Sequence, residues 1–400
     1  MRTIPIRPAP AVASDAPAAG LVAPPPLSLY IHFPWCVQKC PYCDFNSHAV
    51  RGDIPQRTYV DALLADLESA LPQIWGRRIQ TVFIGGGTPS LIDPDQLARL
   101  LDGVRALGNL APGAEVTLEA NPGAVDVRHL GAFRAAGITR LSLGVQSFDD
   151  RLLAAIGRIH GGAEARRAID AALAHFDQVN IDLMYALPGQ TLDDLARDLA
   201  QLVASGAGHL SCYHLTIEPN TPFHAEPPSV PDEDIASDMQ DLVESRLAVA
   251  GYRHYETSAF ARDGQRCQHN LNYWRFGDYL GIGAGAHGKL SAHDGIRRQV
   301  RHRHPKAYLE AAAQRDFVQE VREVGAGDLP FEFMMNALRL VDGFEPGLFP
   351  ATTGQPLSAV EPTLVAARRD GLVDLSGERI CPTDRGRRFL NDLLQRFLAD

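Results

Sequence analysis

The chain has 400 residues, 45% of them hydrophobic and 22% charged. That balance belongs to a globular protein of two or three domains and excludes a disordered, collagen-like or disulfide-stapled mini-protein. Lys and Arg total 38 against 48 Asp and Glu, a net charge of −10, so no general electrostatic footprint for nucleic acid follows. No apolar run reaches the ~18 residues of a membrane span, so no transmembrane segment is expected.

Residues 1–26 are rich in Ala and Pro, and Pro5, Pro8 and Pro10 interrupt any apolar stretch. They read as a disordered leader rather than a targeting peptide. From Leu27 onward short β-rich runs alternate with longer helical patterns. Strands are expected at Leu27–His32, Thr81–Ile84, Glu115–Glu119, Arg140–Val145, Gln178–Met184 and His209–Ile217. Helices are expected at Arg57–Leu71, Asp95–Leu107, Val127–Ala136, Gly162–His175 and Leu192–Ser205. Asp93–Pro94 sets an N-cap and an N1 proline before the second helix. Strand–helix repetition predicts parallel βα units. About six fit before the proline-rich break at Glu226–Pro231, too few for a closed eight-unit barrel of ~250 residues. The expected fold is therefore α/β, an open six-unit (β/α) partial TIM barrel over residues 27–230.

Residues 231–325 mix a helix at Ile235–Val249, short strand-like pieces and the glycine run Gly281–Gly288, and read as a small α+β extension of the barrel. Residues 326–400 give helix, helix, hairpin, helix: Leu329–Leu340, Pro362–Asp370, a wing at Leu372–Ile380, and a last helix capped by Thr383. That outline predicts a winged-helix-like domain. Its arginines (Arg368, Arg369, Arg385, Arg387, Arg388) are offset by nearby acids, which favours a packing or lid role over DNA binding.

In parallel α/β folds ligands bind at the carboxyl ends of strands, and the unusual residues of this chain fall there. Cys36–Cys43 follows the first strand, Gly85–Pro89 the second and Glu119–Pro122 the third. Gln146 follows the fourth, Asp182–Gln190 ends the fifth and Glu218–Pro222 follows the sixth. The six cysteines are one dense triplet, Cys36, Cys40 and Cys43, plus Cys212, Cys267 and Cys381. This pattern fits a reducing cytoplasm rather than a disulfide framework. Zinc prefers four ligands, with His48 a candidate fourth. Three thiolates on a four-iron cluster would leave one iron open to a ligand.

The run Tyr30–His48 (YIHFPWCVQKCPYCDFNSH) resembles the signature of the radical SAM family, and most closely its haem-chaperone branch and the related oxygen-independent coproporphyrinogen III dehydrogenase. Further matches are Gly85–Pro89 (GGGTP), Glu119–Gly123 (EANPG), Gly144–Phe148 (GVQSF), Asp182–Gln190 (DLMYALPGQ) and His269–Trp274 (HNLNYW). The resemblance covers nearly everything but the leader. It implies a 4Fe-4S cluster on Cys36, Cys40 and Cys43 whose open iron chelates S-adenosylmethionine. One-electron reduction can then cleave that cofactor to a 5′-deoxyadenosyl radical. It further implies cofactor contacts from Tyr30, Tyr42, Gly86, Gly87, Thr88, Glu119, Gln146, Arg158 and Asp182. The bare glycines would let backbone amides approach the methionine end.

The dehydrogenase pattern carries a fourth cysteine two residues after the third, where this chain has Asp44 and Phe45. The leader is also unlike that enzyme's ordered extension. Both departures favour the haem-chaperone branch. The resemblance then implies haem as cargo, His269 as its contact with Tyr273 and Trp274 alongside, and transfer to acceptor haem proteins such as membrane respiratory enzymes. Cys267 is a further candidate thiolate, and Cys381–Pro382 resembles a haem-regulatory dipeptide.

Overall fold

A computed structural model describes residues 21–399, so the expectation of a disordered leader falls largely outside the described residues. Regular structure begins with β1 (Leu27–Phe33). Two short strands, β2 (Trp35–Cys36) and β3 (His48–Ala49), pair in parallel. The chain continues through α1 (Gln56–Ala70), β4 (Ile79–Gly86), α2 (Pro94–Leu107), β5 (Leu110–Ala120), α3 (Leu130–Ala136), β6 (Arg140–Gln146), α4 (Asp150–Ala155), α5 (Gly162–His175), β7 (Gln178–Tyr185), α6 (Leu192–Ala204) and β8 (His209–His214). The order β1-β4-β5-β6-β7-β8 is parallel throughout. Its apolar runs are covered on both faces, as expected of strands under helices. Leu29, Ile31, Val82, Ile84, Leu118, Leu143, Ile181 and Leu210 are all at most 1% exposed, and each contributes ~1.5–3 kcal/mol by burial.

Local signals set the element ends. The Asp93 carboxylate accepts from the amides of Asp95 and Gln96, with Pro94 first in the helix. Thr191 and Asp194 form a capping box at α6. The third strand is longer than expected, because a register shift between Ile79 and Thr81 accommodates Pro112 and Gly113 within β5. Helix α4, only six residues long, was not anticipated.

Residues 231–325 are not a separate layer. After α7 (Pro222–Ala225) and α8 (Glu233–Val249) come β9 (Arg253–Glu256), β10 (Ala259–Ala261), α9 (Gln268–Trp274), β11 (Asp278–Ile282), β12 (His287–Ala292), β13 (Gly295–Arg301), α10 (Pro305–Ala311) and β14 (Val318–Glu323). Strands β10 and β9 extend the β8 edge antiparallel. On the other side β11 pairs parallel with β1, and β12, β13 and β14 follow antiparallel. The result is one 12-stranded sheet in which β1 sits between β4 and β11, so β1 and β8 do not meet. The expected six-strand parallel series is thus correct in order but gains a seventh parallel member, β11.

A buried ion pair ties this extension to the first helix. Arg301 Nε donates to both Asp66 oxygens at 3.0 and 3.2 Å, Tyr308 Oη donates to Asp66 at 2.9 Å, and the Gly283 amide adds a fourth bond at 3.2 Å.

The C-terminal section contains α11 (Leu329–Ala337), α12 (Leu348–Thr353), α13 (Glu361–Arg369), the two-strand wing β15 (Val373–Asp374) and β16 (Cys381–Pro382), α14 (Asp384–Arg388) and α15 (Leu390–Gln395). It has its own core, in which Phe333 meets Phe344 and Phe349 edge-on at 5.0 and 5.1 Å. Thr383 caps α14 as expected, accepting from Gly386 N at 3.0 Å. Helix α12 lies beyond the four expected elements. Arg298 of β13 bonds Glu332 of α11, fastening this section to the sheet. No described helix is long and apolar enough to cross a membrane.

Candidate functional site

The cysteine loop leaves the carboxyl end of β1 and is closed at its base by the β2–β3 pair, with His48 N bonding Pro34 O and Val50 N bonding Cys36 O. Inside it Cys43 N bonds Cys40 O at 3.1 Å, and Lys39 Nζ donates to Phe45 O at 3.0 Å. Asn46 fastens the far end to Ala284 O and Arg303 O. Arg158 Nη1 lies 3.6 Å from Cys40 Sγ. Burial raises the Cys36 and Cys43 thiols above their ordinary value, against hydrogen bonds that include Thr88 for Cys36 and Ser47 for Cys43. Among the described residues no three His, Cys, Asp or Glu side chains are gathered as a ready site for a single ion. A cluster differs in this respect, because each thiolate binds its own iron around a larger body.

The loop faces a cavity of about 160 Å³. The carboxyl ends of successive strands supply its other walls: Gly86 at the end of β4 with Gly87 and Thr88 after it, Glu119 from β5, Gln146 from β6 and Asp182 from β7, with Arg158 and Tyr42 beside them. Thus 11 of the 12 residues expected to hold the cluster or S-adenosylmethionine line one cavity, Tyr30 being the exception. Two buried polar atoms here have no protein partner, Gln146 Oε1 and Arg158 Nε, and such atoms are costly unless a ligand meets them. Gln146 also sits at φ 72 beside a register shift in β6, a sparsely populated conformation that often marks a ligand site.

The glycine run behaves differently from expectation. The amide of Gly86 donates to Glu119 Oε2 at 3.0 Å, that of Gly87 to Phe33 O at 2.7 Å and that of Thr88 to Trp35 O at 2.7 Å. None of these three amides is left for an anion. Gly86 is glycine because its φ is +120 and a Cβ would fall 2.6 Å from the His32 ring. At Gly87 a Cβ would fall 2.5 Å from Trp35 O. The run therefore serves close packing of β4 on β1, and the edge it presents suits a cationic ligand group better than an anionic one.

Two carboxyls meet at this edge. Burial, then the neighbouring Asp182 charge, push Glu119 up to about 8, against the Gly86 amide. Burial pushes Asp182 up to about 6, against hydrogen bonds led by Asn180. A carboxyl held above its ordinary value favours the folded state while protonated. The ligand-free protein is therefore expected to lose stability as pH rises from about 4.5 through about 8. Urea unfolding at pH 5 and pH 8 checks this: the fall is expected to shrink in Glu119→Gln, and an equal fall in both proteins removes Glu119 as its source.

A second cavity, of about 580 Å³, adjoins the first, and Phe45, Gly86 and Glu119 line both. Its walls are Tyr30 and His32 of β1, Tyr273 and Trp274 at the end of α9, Tyr279 of β11, His287 and Lys289 of β12, Arg298 of β13 and Met335 of α11. Tyr30 belongs to this chamber rather than to the smaller one. His32 Nε2 bonds Asn46 O at 2.9 Å, so Nδ1 accepts from Tyr30 Oη at 2.9 Å. Most of these lining residues were missed in the sequence, because they reach the cavity only through the β1–β11 pairing.

His269 is the chief exception among the expected residues. It is 1% exposed and lines neither cavity. Its Nδ1 bonds Thr81 Oγ1 at 2.8 Å and its Nε2 bonds Tyr273 Oη at 2.9 Å. Burial lowers its pKa to about 3. Cys267 is buried against Glu115, and Cys381 lies on the wing against Asp342 O, so neither reaches these cavities.

The chain belongs to the radical SAM superfamily. Residues 30–202 match that superfamily, and residues 326–389 match the HemN C-terminal domain. The structure of coproporphyrinogen III oxidase HemN from Escherichia coli superposes with a TM-score of 0.79 at 23% identity, over 94% of this chain and 90% of that one. That likeness establishes the fold. The chain is 47% identical to the heme chaperone HemW of Escherichia coli over 95% of its own length and all of that protein. It is 32% identical to HemW of Bacillus subtilis over 93% of its length and 99% of that relative. Within the superfamily, the chain belongs to the HemW family.

Proposed function

We propose that this chain is a cytoplasmic haem chaperone. It binds a 4Fe-4S cluster through Cys36, Cys40 and Cys43, S-adenosylmethionine in the smaller cavity and haem in the larger one, and passes haem to acceptor haem proteins. The observation that carries this reading is the pair of adjoining cavities with a common wall at Phe45, Gly86 and Glu119. A volume of about 580 Å³ lies in the range of cofactor-sized pockets, and its tyrosines and tryptophan offer flat apolar faces to a porphyrin.

When bound, the cluster and S-adenosylmethionine would supply one-electron chemistry or a conformational signal. The chain's own residues orient and shield them. In the smaller cavity Gln146 Oε1 and the two raised carboxyls accept from ammonium and hydroxyl groups, while Arg158 Nε donates to a carboxylate. Tyr42 belongs to the cysteine loop itself, between Cys40 and Cys43, and burial holds its phenol neutral. The membership in the HemW family and the absence of a cysteine at Phe45 both favour the chaperone over a coproporphyrinogen dehydrogenase.

The test is anaerobic purification with iron and sulfide analysis, then haem titration with and without S-adenosylmethionine. One iron–sulfur cluster per chain and a saturable Soret band are expected. A colourless preparation holding zinc without acid-labile sulfide overturns the cluster. Conversion of coproporphyrinogen III to protoporphyrinogen IX by the reduced protein overturns the chaperone reading.

A further inference from the structure

We propose that His287, not His269, is the side chain that ligates the haem iron, and that His269 is a positioning residue for Tyr273. The proposal rests on the reading of the larger cavity as the haem site and names the iron's partner within it.

An axial ligand needs an unengaged electron pair at the cavity surface. Three histidines are near, and two are already committed. His32 donates one ring nitrogen to Asn46 O and accepts from Tyr30 with the other. His269 is bonded at both nitrogens and is shut away from the cavity. His287 opens β12, lines the cavity and is exposed, and neither of its ring nitrogens bonds another described residue. Although the residue as a whole is exposed, partial desolvation of its ring, then Arg303 and Arg298, lower its pKa against Glu320, so the neutral imidazole that binds iron prevails at neutral pH. The phenols are weaker candidates. Tyr30 Oη is bonded to His32, Tyr279 Oη accepts from Arg298 at 3.0 Å, and Tyr273 Oη is bonded to His269.

The role left for His269 follows from its partners. Asn272 Nδ2 donates to Ser28 Oγ at 2.8 Å, Ser28 meets Thr81 Oγ1 at 2.8 Å, and Thr81 meets His269 Nδ1 at 2.8 Å. In the proposed arrangement Ser28 donates to Thr81 and Thr81 to His269 Nδ1, which leaves the imidazole proton on Nε2, donated to Tyr273 Oη. The Tyr273 hydroxyl proton is then free to point into the cavity, toward a porphyrin carboxylate. Trp274 beside it carries a second donor, a buried Nε1 with no protein partner.

The experiment is haem titration of full-length anaerobic protein, read by Soret position and by electron paramagnetic resonance of the ferric complex. Cluster absorbance and circular dichroism serve as checks of folding. His287→Ala is expected to lose the nitrogen-ligated signature and to bind haem at least ~10-fold more weakly, since loss of even an outer partner of a metal ligand costs about that much. Added imidazole is expected to restore the wild-type spectrum in this variant. His269→Ala is expected to keep the signature, as is Tyr273→Phe. A His287→Ala protein with an unchanged Soret band, or loss of the nitrogen signature in folded His269→Ala, overturns the assignment while leaving haem as cargo. Absence of saturable haem binding in the wild type overturns the cargo and the assignment together.

Discussion

Cys40→Ser is expected to purify without iron or acid-labile sulfide, even after anaerobic reconstitution. Two remaining thiolates anchor only two irons, and the cluster is then exposed to exchange and loss. Cys40 lies on a loop whose shape is maintained elsewhere, by the β2–β3 pair, by Lys39 on Phe45 O and by Asn46 on Ala284 and Arg303. Its side chain is only half-buried, so the metal-free fold should change by less than ~0.5 kcal/mol, as at most surface positions. Cluster content and thermal unfolding, measured on the same preparation, separate the two effects. A variant that retains its cluster would show that some other side chain, such as Asp44 or His48, replaces the sulfur.

The second large effect is structural. Arg301→Leu removes the cation from Asp66 and leaves a carboxylate buried between α1, β11, β13 and α10. Both partners are 1% exposed, and breaking such a pair on one side costs ~3–5 kcal/mol. Burial already holds Asp66 above its ordinary value despite Arg301 and the Tyr308 hydroxyl, so the variant is expected to protonate it. The ionised form is the disfavoured one, which makes the loss larger at pH 8 than at pH 5. Urea unfolding at the two pH values measures this, and Asp66→Leu added to Arg301→Leu should recover part of the loss. A single variant as stable as the wild type would mean that water reaches Asp66.

Much of the smaller cavity was legible in the sequence for a simple reason. Each chemical group there follows its own strand, so local patterning and the rule that ligands meet strand ends bring Cys36–Cys43, Thr88, Glu119, Gln146 and Asp182 together. The larger cavity was not legible. It depends on β11, whose five residues begin with Asp278 and end among glycines, and whose partner β1 lies at the start of the chain. His269 shows the same gap on a smaller scale. A motif of histidine and aromatics is compatible with a haem contact, but which side of the short helix α9 meets Thr81 is decided by tertiary packing. The glycines at the end of β4 suggest access for a ligand, whereas the ring of His32 and the carbonyl of Trp35 are what forbid a side chain there. Nothing in a run of glycines distinguishes a crowded neighbour from an approaching substrate.

The pairing of Leu27 with Asp278 also bears on how the polypeptide is made. A nascent chain that has emerged only as far as the proline-rich break can give its first strand one neighbour, leaving a row of unpaired amides and carbonyls on an apolar edge. Such an edge is a template for association with other chains, and contacts so distant along the sequence form slowly. The first strand therefore stays an open edge until the ribosome has delivered Asp278–Ile282, the segment that covers it.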